Sequence, residues 1–302
     1  MRKILAIFMN NSERKLSISI VNFNSGEYLE KCLSSLSKTG GSINLEIWVV
    51  DNNSSDNSLE LAKEKFPDVN YIDNNQNLGF GRAHNIALRK IKSEFVLILN
   101  PDTEVESGVI SSMLNFIEGS PGVGAATCKV LLGNGKLDLA SHRGFPTPFA
   151  SFLYYFLKNG SLYHLSNAPM DKIHEVDAIS GSFFLTRKSV LEKVGYFDED
   201  YFMYAEDIDL CFRIKEVGFK VMFVPEVSII HHKGVSSGLK KHSQNLSTAD
   251  IETKMRSLNA FYGAMKIFYK KRMEQKYPFF INRLVYLGIN LKWFLAKQKM
   301  QV

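Results

Sequence analysis

Between Leu16 and about Val130, short apolar runs alternate with amphipathic stretches, and this rhythm restricts the possible folds more than any other feature of the chain. An apolar run of a few residues bounded by turn signals reads as a buried strand, and a longer stretch with apolar positions every three or four residues reads as a helix. Regular alternation of the two builds βαβ units, and so an α/β domain on a mostly parallel, doubly wound sheet. "LSISIVNF" is the first strand. Residues 25–37 follow as a helix, with Tyr28, Leu29, Cys32, Leu33 and Leu36 at helical spacing and Ser25 placed to cap them. "LEIWVVDNNSSDNS" is a second strand breaking into a polar loop; Leu59 to Phe66 form a helix, and "VNYID" forms a third strand. "NLGFGRAHNIALRKI" opens with glycines and becomes helical, leading to a fourth strand, Phe95 to Leu99. Right-handed crossovers bring the four carboxyl ends to one edge, which is where open α/β sheets bind ligands.

A chain of 302 residues with 45% hydrophobic content can bury one large core or two smaller ones. Its three cysteines, an odd count without CxxC spacing, argue against a disulfide framework and fit a reducing compartment. At the N-terminus a basic start and the short apolar stretch from Ile4 to Met9 are too thin for a signal peptide and read as a cytosolic extension with room for an extra strand.

The middle third, with "GNGKLDLASHRGFPTPF" and "YHLSNAPMDKI", is rich in turn residues and reads as loops and a subsidiary β-region covering a site. Order returns at "VDAISGSFFLTRKSVLEKVGYF" with a strand and a short helix, then a longer helix and strand pieces. The polar, serine-rich stretch near residue 236 divides a compact unit, 1–236, from a basic helical extension, 237–302.

A net charge of +6 suits nucleic acid, anionic lipid or a phosphorylated substrate, and its location decides among them. Basic residues from Lys266 to Lys299 interleave with Phe, Tyr, Trp and Leu, as in a helix lying on a membrane surface. Arg283 and Lys292 interrupt any apolar run long enough to span a bilayer; the alternative is a helical cap packed on the domain. Acidic residues at the strand ends argue against nucleic acid as a partner.

Four constellations carry candidate chemistry. In "VVDNNSSDNS", Asp51 closes a strand where a carboxylate can accept hydrogen bonds from a nucleotide base or ribose, while Asp56 reads as a helix cap. In "NQNLGFGRAHNIAL", Asn77 and Gly79 precede a helix start whose free N–H groups, with Arg82, could hold a diphosphate; a glycine turn needing no ligand is the plainer reading. In "LNPDTEV", Pro101 stops a strand and Asp102 follows, either as a ligand-binding carboxylate or as a turn aspartate capping a helix that starts near Ser107.

The fourth joins two distant motifs. In "YAEDIDLCFRIKEVG", the apolar stripe Leu210, Cys211, Ile214 and Val217 sets Glu206, Asp209 and Arg213 on another face and leans Asp207 toward the core, making it a candidate general base. Asp209 and Arg213 also form an ordinary i, i+4 pair. His231 and His232 end a strand, and one of them must alternate inward, where with Asp102 it could hold Mn²⁺ or Mg²⁺.

Taken in order, these motifs resemble inverting family 2 glycosyltransferases of the GT-A fold, most of all the rhamnosyltransferase-like branch that builds bacterial surface polysaccharides. The resemblance runs from Leu16 to Ser237 through "SIVNFNSGEYLEKCLSSL", "VVDNNSSDNS", "NLGFGRAHNIAL", "LNPDTEV", "ISGSFFLTRKSVLEKVGYFDEDYFMYAEDIDLCFRIKEVG" and "IIHHKGVSS". It implies that Val21 and Asn22 border the base, that Asp51 holds base or ribose, and that Asn77, Gly79 and Arg82 lie by the diphosphate. It makes Asp102 the metal-binding aspartate, with Asn100 where a DxD motif has its first carboxylate. It matches His231, Gly234 and Ser236 to the family's His-x-x-Gly-x-Ser, and Asp207 to the catalytic base. Gly181 and Ser182 then belong to the pocket floor, with Glu206, Asp209 and Arg213 in acceptor or supporting roles.

The implied reaction moves a sugar, L-rhamnose from dTDP-L-rhamnose first among the candidates, to a hydroxyl of a lipid-linked saccharide. UDP-galactofuranose, UDP-glucose and UDP-N-acetylglucosamine are alternative donors. The implied setting is the cytoplasmic face of a bacterial inner membrane, with a divalent cation and with a homodimer allowed. A nucleotidyltransferase would need a glycine-rich basic loop after the first strand, which "NFNSGEYLEK" does not provide, and a non-catalytic nucleotide-binding module is the remaining alternative.

Overall fold

The computed structural model describes residues 14–39, 43–232 and 251–300. The stretch Ile4 to Met9, the motif residues Gly234 and Ser236 and the expected boundary at 236 lie outside the described residues. The first half follows the βαβ rhythm: β1 (Arg14–Asn22), α1 (Tyr28–Ser37), β2 (Ile43–Asp51), α2 (Ser58–Lys65), β3 (Asn70–Asp73), α3 (Phe80–Lys90) and β4 (Phe95–Leu99). Then come β5 (Thr103–Val105), α4 (Val109–Glu118), β6 (Val123–Leu132), β7 (His142–Arg143) and α5 (Pro148–Leu157). The remainder is β8 (His174–Val176), β9 (Ala178–Ile179), β10 (Phe183–Arg187), α6 (Lys188–Val194), α7 (Glu206–Glu216), β11 (Lys220–His231), α8 (Ile251–Phe268) and α9 (Phe279–Met300). A π-helical turn, Tyr269–Met273, and a 3₁₀ turn, Glu274–Lys276, link the last two helices.

The central sheet has the order β3-β2-β1-β4-β10-β6-β11-β5, with β8 added beside β11, and a two-stranded ribbon pairs β7 with β9. β1, β2, β3 and β4 run parallel, as do β6 and β11; β10 is antiparallel to both β4 and β6. After β3 the chain crosses to the far side of β1 to lay down β4, so winding reverses between β1 and β4. Such a reversal opens a crevice at the strands' carboxyl ends.

Period-two alternation divides β4 between two cores. Phe95, Leu97 and Leu99 join the layer of α1 and α4, and Val96 and Ile98 join the layer that holds α6 and α7. β1 instead turns Leu16, Ile18 and Ile20 to the first layer and buries Ser17 and Ser19 on the opposite face. Ser19 Oγ lies 2.8 Å from Nδ1 of His84, and burial drives the His84 imidazole down to about 3, so it stays neutral. That histidine is a structural partner of a strand hydroxyl.

Two local expectations are corrected. Ser25 does not cap α1, because its hydroxyl donates to the Asn22 side chain while its carbonyl accepts from Tyr28 N at 3.1 Å. Asp102 caps no helix, since β5 intervenes and pairs with β11 before α4 begins at Val109. The three cysteines are free and buried, and burial pushes the Cys32 thiol up to about 12.

The C-terminal extension is half cap and half exposed helix. Phe268, Tyr269 and Met273 are buried in the same core as α7, whereas α9 buries no residue. Phe280, Leu284, Leu287, Leu291 and Phe294 of α9 are exposed at alternating four- and three-residue spacing, which is one face of a helix. Phe152 and Phe156 of α5 are exposed as well, and Lys292 of α9 lies over the Phe156 ring at 5.2 Å. Among the described residues no helix is long and apolar enough to cross a membrane.

Candidate active site

The crevice between β1 and β4 is lined first by a polar network at the strand ends. Asn22 Nδ2 donates to Asp51 Oδ1 at 2.7 Å and to Ser58 Oγ at 2.9 Å, and Ser54 N donates to Asp51 Oδ2 at 2.8 Å. Asn22 and Asp51 are both buried, so adjacent motif residues shape each other before any ligand arrives. Val21, directly before Asn22, is buried in a small cluster with Val50 and Ala83. Asp56 accepts from Gly26 N at 2.8 Å and from Ser58 N at 3.2 Å, close to its expected capping role.

Asn52, beside Asp51 in its motif but given no role there, organises the loop before α3. Its Oδ1 accepts from Asn74 Nδ2 at 3.0 Å and its Nδ2 donates to Gly79 O at 3.0 Å. Asn77 closes the same loop by accepting from Gly79 N at 2.9 Å. Gly79 has φ of 84° and a Cβ there would lie 2.1 Å from Phe202 O, so only glycine fits. The close neighbour is protein backbone: Phe80 N donates to Phe202 O at 2.9 Å. Arg82 turns outward to Glu199, with Nε 3.5 Å from Oε2. The helix start and its arginine thus hold the segment ahead of α7, and the diphosphate role expected for Arg82 lacks geometric support.

The second corner joins β4 to β11. Pro101 cannot donate to a sheet ladder, so β4 stops, and Thr103 Oγ1 donates to Asn100 O at 2.7 Å to fix the turn. Asp102 Oδ1 lies 3.1 Å from His231 Nε2, and Asn100 Nδ2 lies 3.2 Å from the same nitrogen. Burial works against the Asp102 carboxylate, but the charge and hydrogen bond of His231 outweigh it and hold the carboxyl below its usual range. Strand alternation sends His232 elsewhere, with Nε2 2.6 Å from Glu104 Oε1 and its ring against Tyr28. Of the two histidines, His231 is the one whose ring meets the Asp102 carboxylate, while His232 donates its backbone N–H to Asp102 O at 2.8 Å.

Behind His231 stands Asp138, whose Oδ2 lies 3.7 Å from Nδ1. An imidazole with one carboxylate beside each ring nitrogen is an arrangement common around metal ligands. One carboxylate and one imidazole 3.1 Å apart also suit adjacent positions on an octahedral cation with ligand distances of about 2.1 Å. Among the described residues no group of three or more His, Cys, Asp or Glu side chains could hold a metal ion by itself. The donor set fits a cation that takes its further oxygens from a substrate and water, as Mg²⁺ does with phosphates.

The third corner is the start of α7. Tyr204 and Ala205 both have positive φ, 72° and 62°, a costly backbone for residues with a Cβ and one that collects at functional sites. The turn delivers Glu206 and Asp207 into the interior. Asp207 Oδ1 accepts from Ile208 N at 2.8 Å, and Oδ2 pairs with Arg143 Nη2 at 3.2 Å. Glu206 is buried with no hydrogen-bond partner on Oε2 among the described residues. Burial, and then the neighbouring Asp207 charge, push its carboxyl up to about 8, which favours the protonated form.

Asp209 is fully buried and takes no place in the pocket. Tyr201 OH, Arg213 Nε and Arg272 Nε donate to its carboxylate at 3.2, 2.8 and 2.7 Å. This pairing with Arg272 ties the C-terminal extension to α7 and covers the face that carries Asp209. Gly181 admits Phe80: a Cβ there would lie 2.6 Å from Cζ of that ring. Ser182 is buried beside it, with Oγ 2.5 Å from Ser180 Oγ. A separate concavity of about 490 Å³, lined by Arg89, Lys92, Glu94, Lys188 and Glu192, opens at the amino end of β4, away from these groups.

Residues 17–195, more than half of the chain, match the model of Glycosyl transferase family 2. The chain belongs to that family. It is 28% identical over 240 residues to the N-acetylglucosaminyl-diphospho-decaprenol L-rhamnosyltransferase of Mycobacterium tuberculosis, covering 74% of this chain and 78% of that one. It is 28% identical over 225 residues to rhamnosyltransferase WbbL of Escherichia coli, covering 71% and 82%. The fold matches that of mannosyltransferase PcManGT from Pyrobaculum calidifontis, solved with GDP-Man and Mn²⁺, with a TM-score of 0.57 at 16% identity, over 96% of this chain and 74% of that chain. The family 2 chain described here is therefore a glycosyltransferase on a GT-A fold.

Proposed function

We propose that this glycosyltransferase moves L-rhamnose from dTDP-L-rhamnose, with inversion, onto a hydroxyl of a lipid-linked saccharide in cell-surface polysaccharide synthesis. The observation that carries the reading is Asp207, an inward carboxylate held by Arg143 at a strained helix start, beside a crevice whose other corner pairs Asp102 with His231. The names of the two curated relatives favour rhamnose and a lipid-diphosphate acceptor.

In this reading Asp207 takes the proton of the acceptor hydroxyl as its oxygen bonds to the anomeric carbon. The bond from that carbon to the diphosphate oxygen breaks on the opposite face, and its electron pair leaves with the nucleotide. Val21, Asn22 and Asp51 border the nucleoside, and Asn77 and Gly79 shape the loop beside it. Asp102 and His231, with Asn100 beside them, would hold Mn²⁺ or Mg²⁺, which when bound neutralises charge on the departing diphosphate. Glu206, in its protonated form, is available to donate a hydrogen bond to the acceptor sugar.

The extension suits a peripheral position on anionic lipid. Residues 251–302 hold eleven Lys and Arg against two acidic residues, so the rest of the chain is net acidic. Lys271 and Arg272 are spent on Asp198 and Asp209, which leaves Arg283, Lys292, Lys297 and Lys299 on α9 around its apolar stripe. Sedimentation with anionic and neutral vesicles tests this: Leu287→Glu with Leu291→Glu should abolish binding to anionic vesicles, and unchanged binding would remove α9 from the interface.

Transfer itself is tested by supplying dTDP-L-rhamnose, UDP-galactofuranose, UDP-glucose or UDP-N-acetylglucosamine with a lipid-linked N-acetylglucosamine acceptor, and reading the product's anomeric configuration by NMR. An inverted rhamnoside is expected. A product with retained configuration contradicts the mechanism, and transfer from a UDP-sugar alone corrects the donor.

A further inference from the structure

The irregular middle segment supplies two charged side chains to the interior, one toward each acidic corner. Asp138 stands 3.7 Å from His231, and Arg143 stands 3.2 Å from Asp207. Arg143 is placed firmly. It pairs with Ala178 in the β7–β9 ribbon, and Nη1 lies 3.5 Å from Tyr163 OH. The next residue, Gly144, lies so close to Leu162 that a Cβ would meet its carbonyl oxygen at 2.1 Å. Burial disfavours the Arg143 cation, but the charge of Asp207, then Tyr163 and Asp138, more than offsets this and keeps it protonated.

Stability alone gives no reason for such a pair. Burying two charges costs about as much as their attraction returns, and apolar residues of similar volume often serve as well. The other groups around Asp207 are differently engaged: burial drives Glu206 toward its neutral form, Asp209 is matched by Arg213 and Arg272, and Lys215 is matched by Glu175 and Asp177. Among the described residues, Arg143 is the cation paired with Asp207. Ile208 N on one carboxylate oxygen and Arg143 on the other fix the plane of the group and leave each oxygen a lone pair for an incoming hydroxyl.

We infer that Arg143 is the positioning residue for Asp207, holding the carboxylate in the orientation from which it deprotonates the acceptor. This rests on the transferase reading above and extends it to a segment outside the motifs. A misplacement of a reacting group by about 1 Å can cost on the order of 10²-fold in rate.

The test compares the full chain with Arg143→Ala and Arg143→Lys in the transfer assay, with nucleotide affinity measured separately by calorimetry. Arg143→Ala should lose on the order of 10²-fold in kcat with unchanged nucleotide affinity, and millimolar guanidinium should restore part of the loss. Arg143→Lys keeps the charge without the planar fork and should fall between the two; it carries the test if the alanine variant does not fold. Parental kcat in either variant, or a loss confined to KM, overturns the inference while leaving the transferase reading intact. A parent chain that transfers no sugar overturns both.

Discussion

Asp102 is placed by strands, whereas Asp207 is placed by a helix that three distant segments hold in position. The Asp102 corner needs only the end of β4, a proline and the register of β11, all close to one sheet edge. At the Asp207 corner, α7 is braced by Phe202 against α3, by Arg143 from the middle segment, by Tyr201 and by Arg272 from the extension. A strand end fixes a ligand through local geometry, while a helix start carrying buried acids must have each charge answered from elsewhere in the chain. The two corners should therefore fail differently.

The largest separation is expected from Asp207→Asn, which keeps the shape and removes the base. Turnover should fall by about 10²–10⁴-fold with nucleotide affinity kept, and near-parental turnover would remove Asp207 from its role. A structural break comes next. Asp209→Ala leaves Arg213 and Arg272 without their shared carboxylate, a change that typically costs about 3–5 kcal/mol. Denaturant unfolding should show this loss, and a variant as stable as the parent would mean that α7 does not depend on the extension.

A smaller effect should appear in the pH dependence of stability. The Glu206 carboxyl is raised from 4.5 to about 8 in the folded chain. Between those values the unfolded chain ionises this group while the folded chain holds its proton, so its contribution to stability falls as pH rises through the window. Glu206→Gln removes the titration, and its stability relative to the parent should climb from pH 5 to pH 8. A constant difference across that range would place Glu206 in a more polar setting than its burial implies.

The same contrast explains what could be read from the sequence. The strands from Leu16 to Leu99 declare themselves by period and composition, and Asn22, Asp51, Asn100 and Asp102 lie at their ends by simple alternation. His231 was narrowed to one of two by the same rule, and the register with β5 resolved it. Asp138, Arg143 and Asn52 gave no signal, because a turn-rich segment or an asparagine run has no periodicity to reveal which side chain points inward. The helical stripe of α7 located Asp207 but could not show that Asp209 is covered, since the cover, Arg272, lies more than sixty residues later. Arg82 shows the opposite limit: a basic residue in a first helical turn suggests phosphate, and only the tertiary fold reveals Glu199 beside it.

The most direct measurement is calorimetric titration with dTDP, UDP and GDP, with and without Mn²⁺ or Mg²⁺, on the parent chain, Asp102→Ala and Asp207→Asn. Strand ends that hold donor and cation, and a helix start that holds the base, predict metal-dependent binding of one nucleotide that Asp102→Ala loses and Asp207→Asn keeps. Equal loss in both variants, or binding indifferent to metal and to Asp102, would contradict that division of the site.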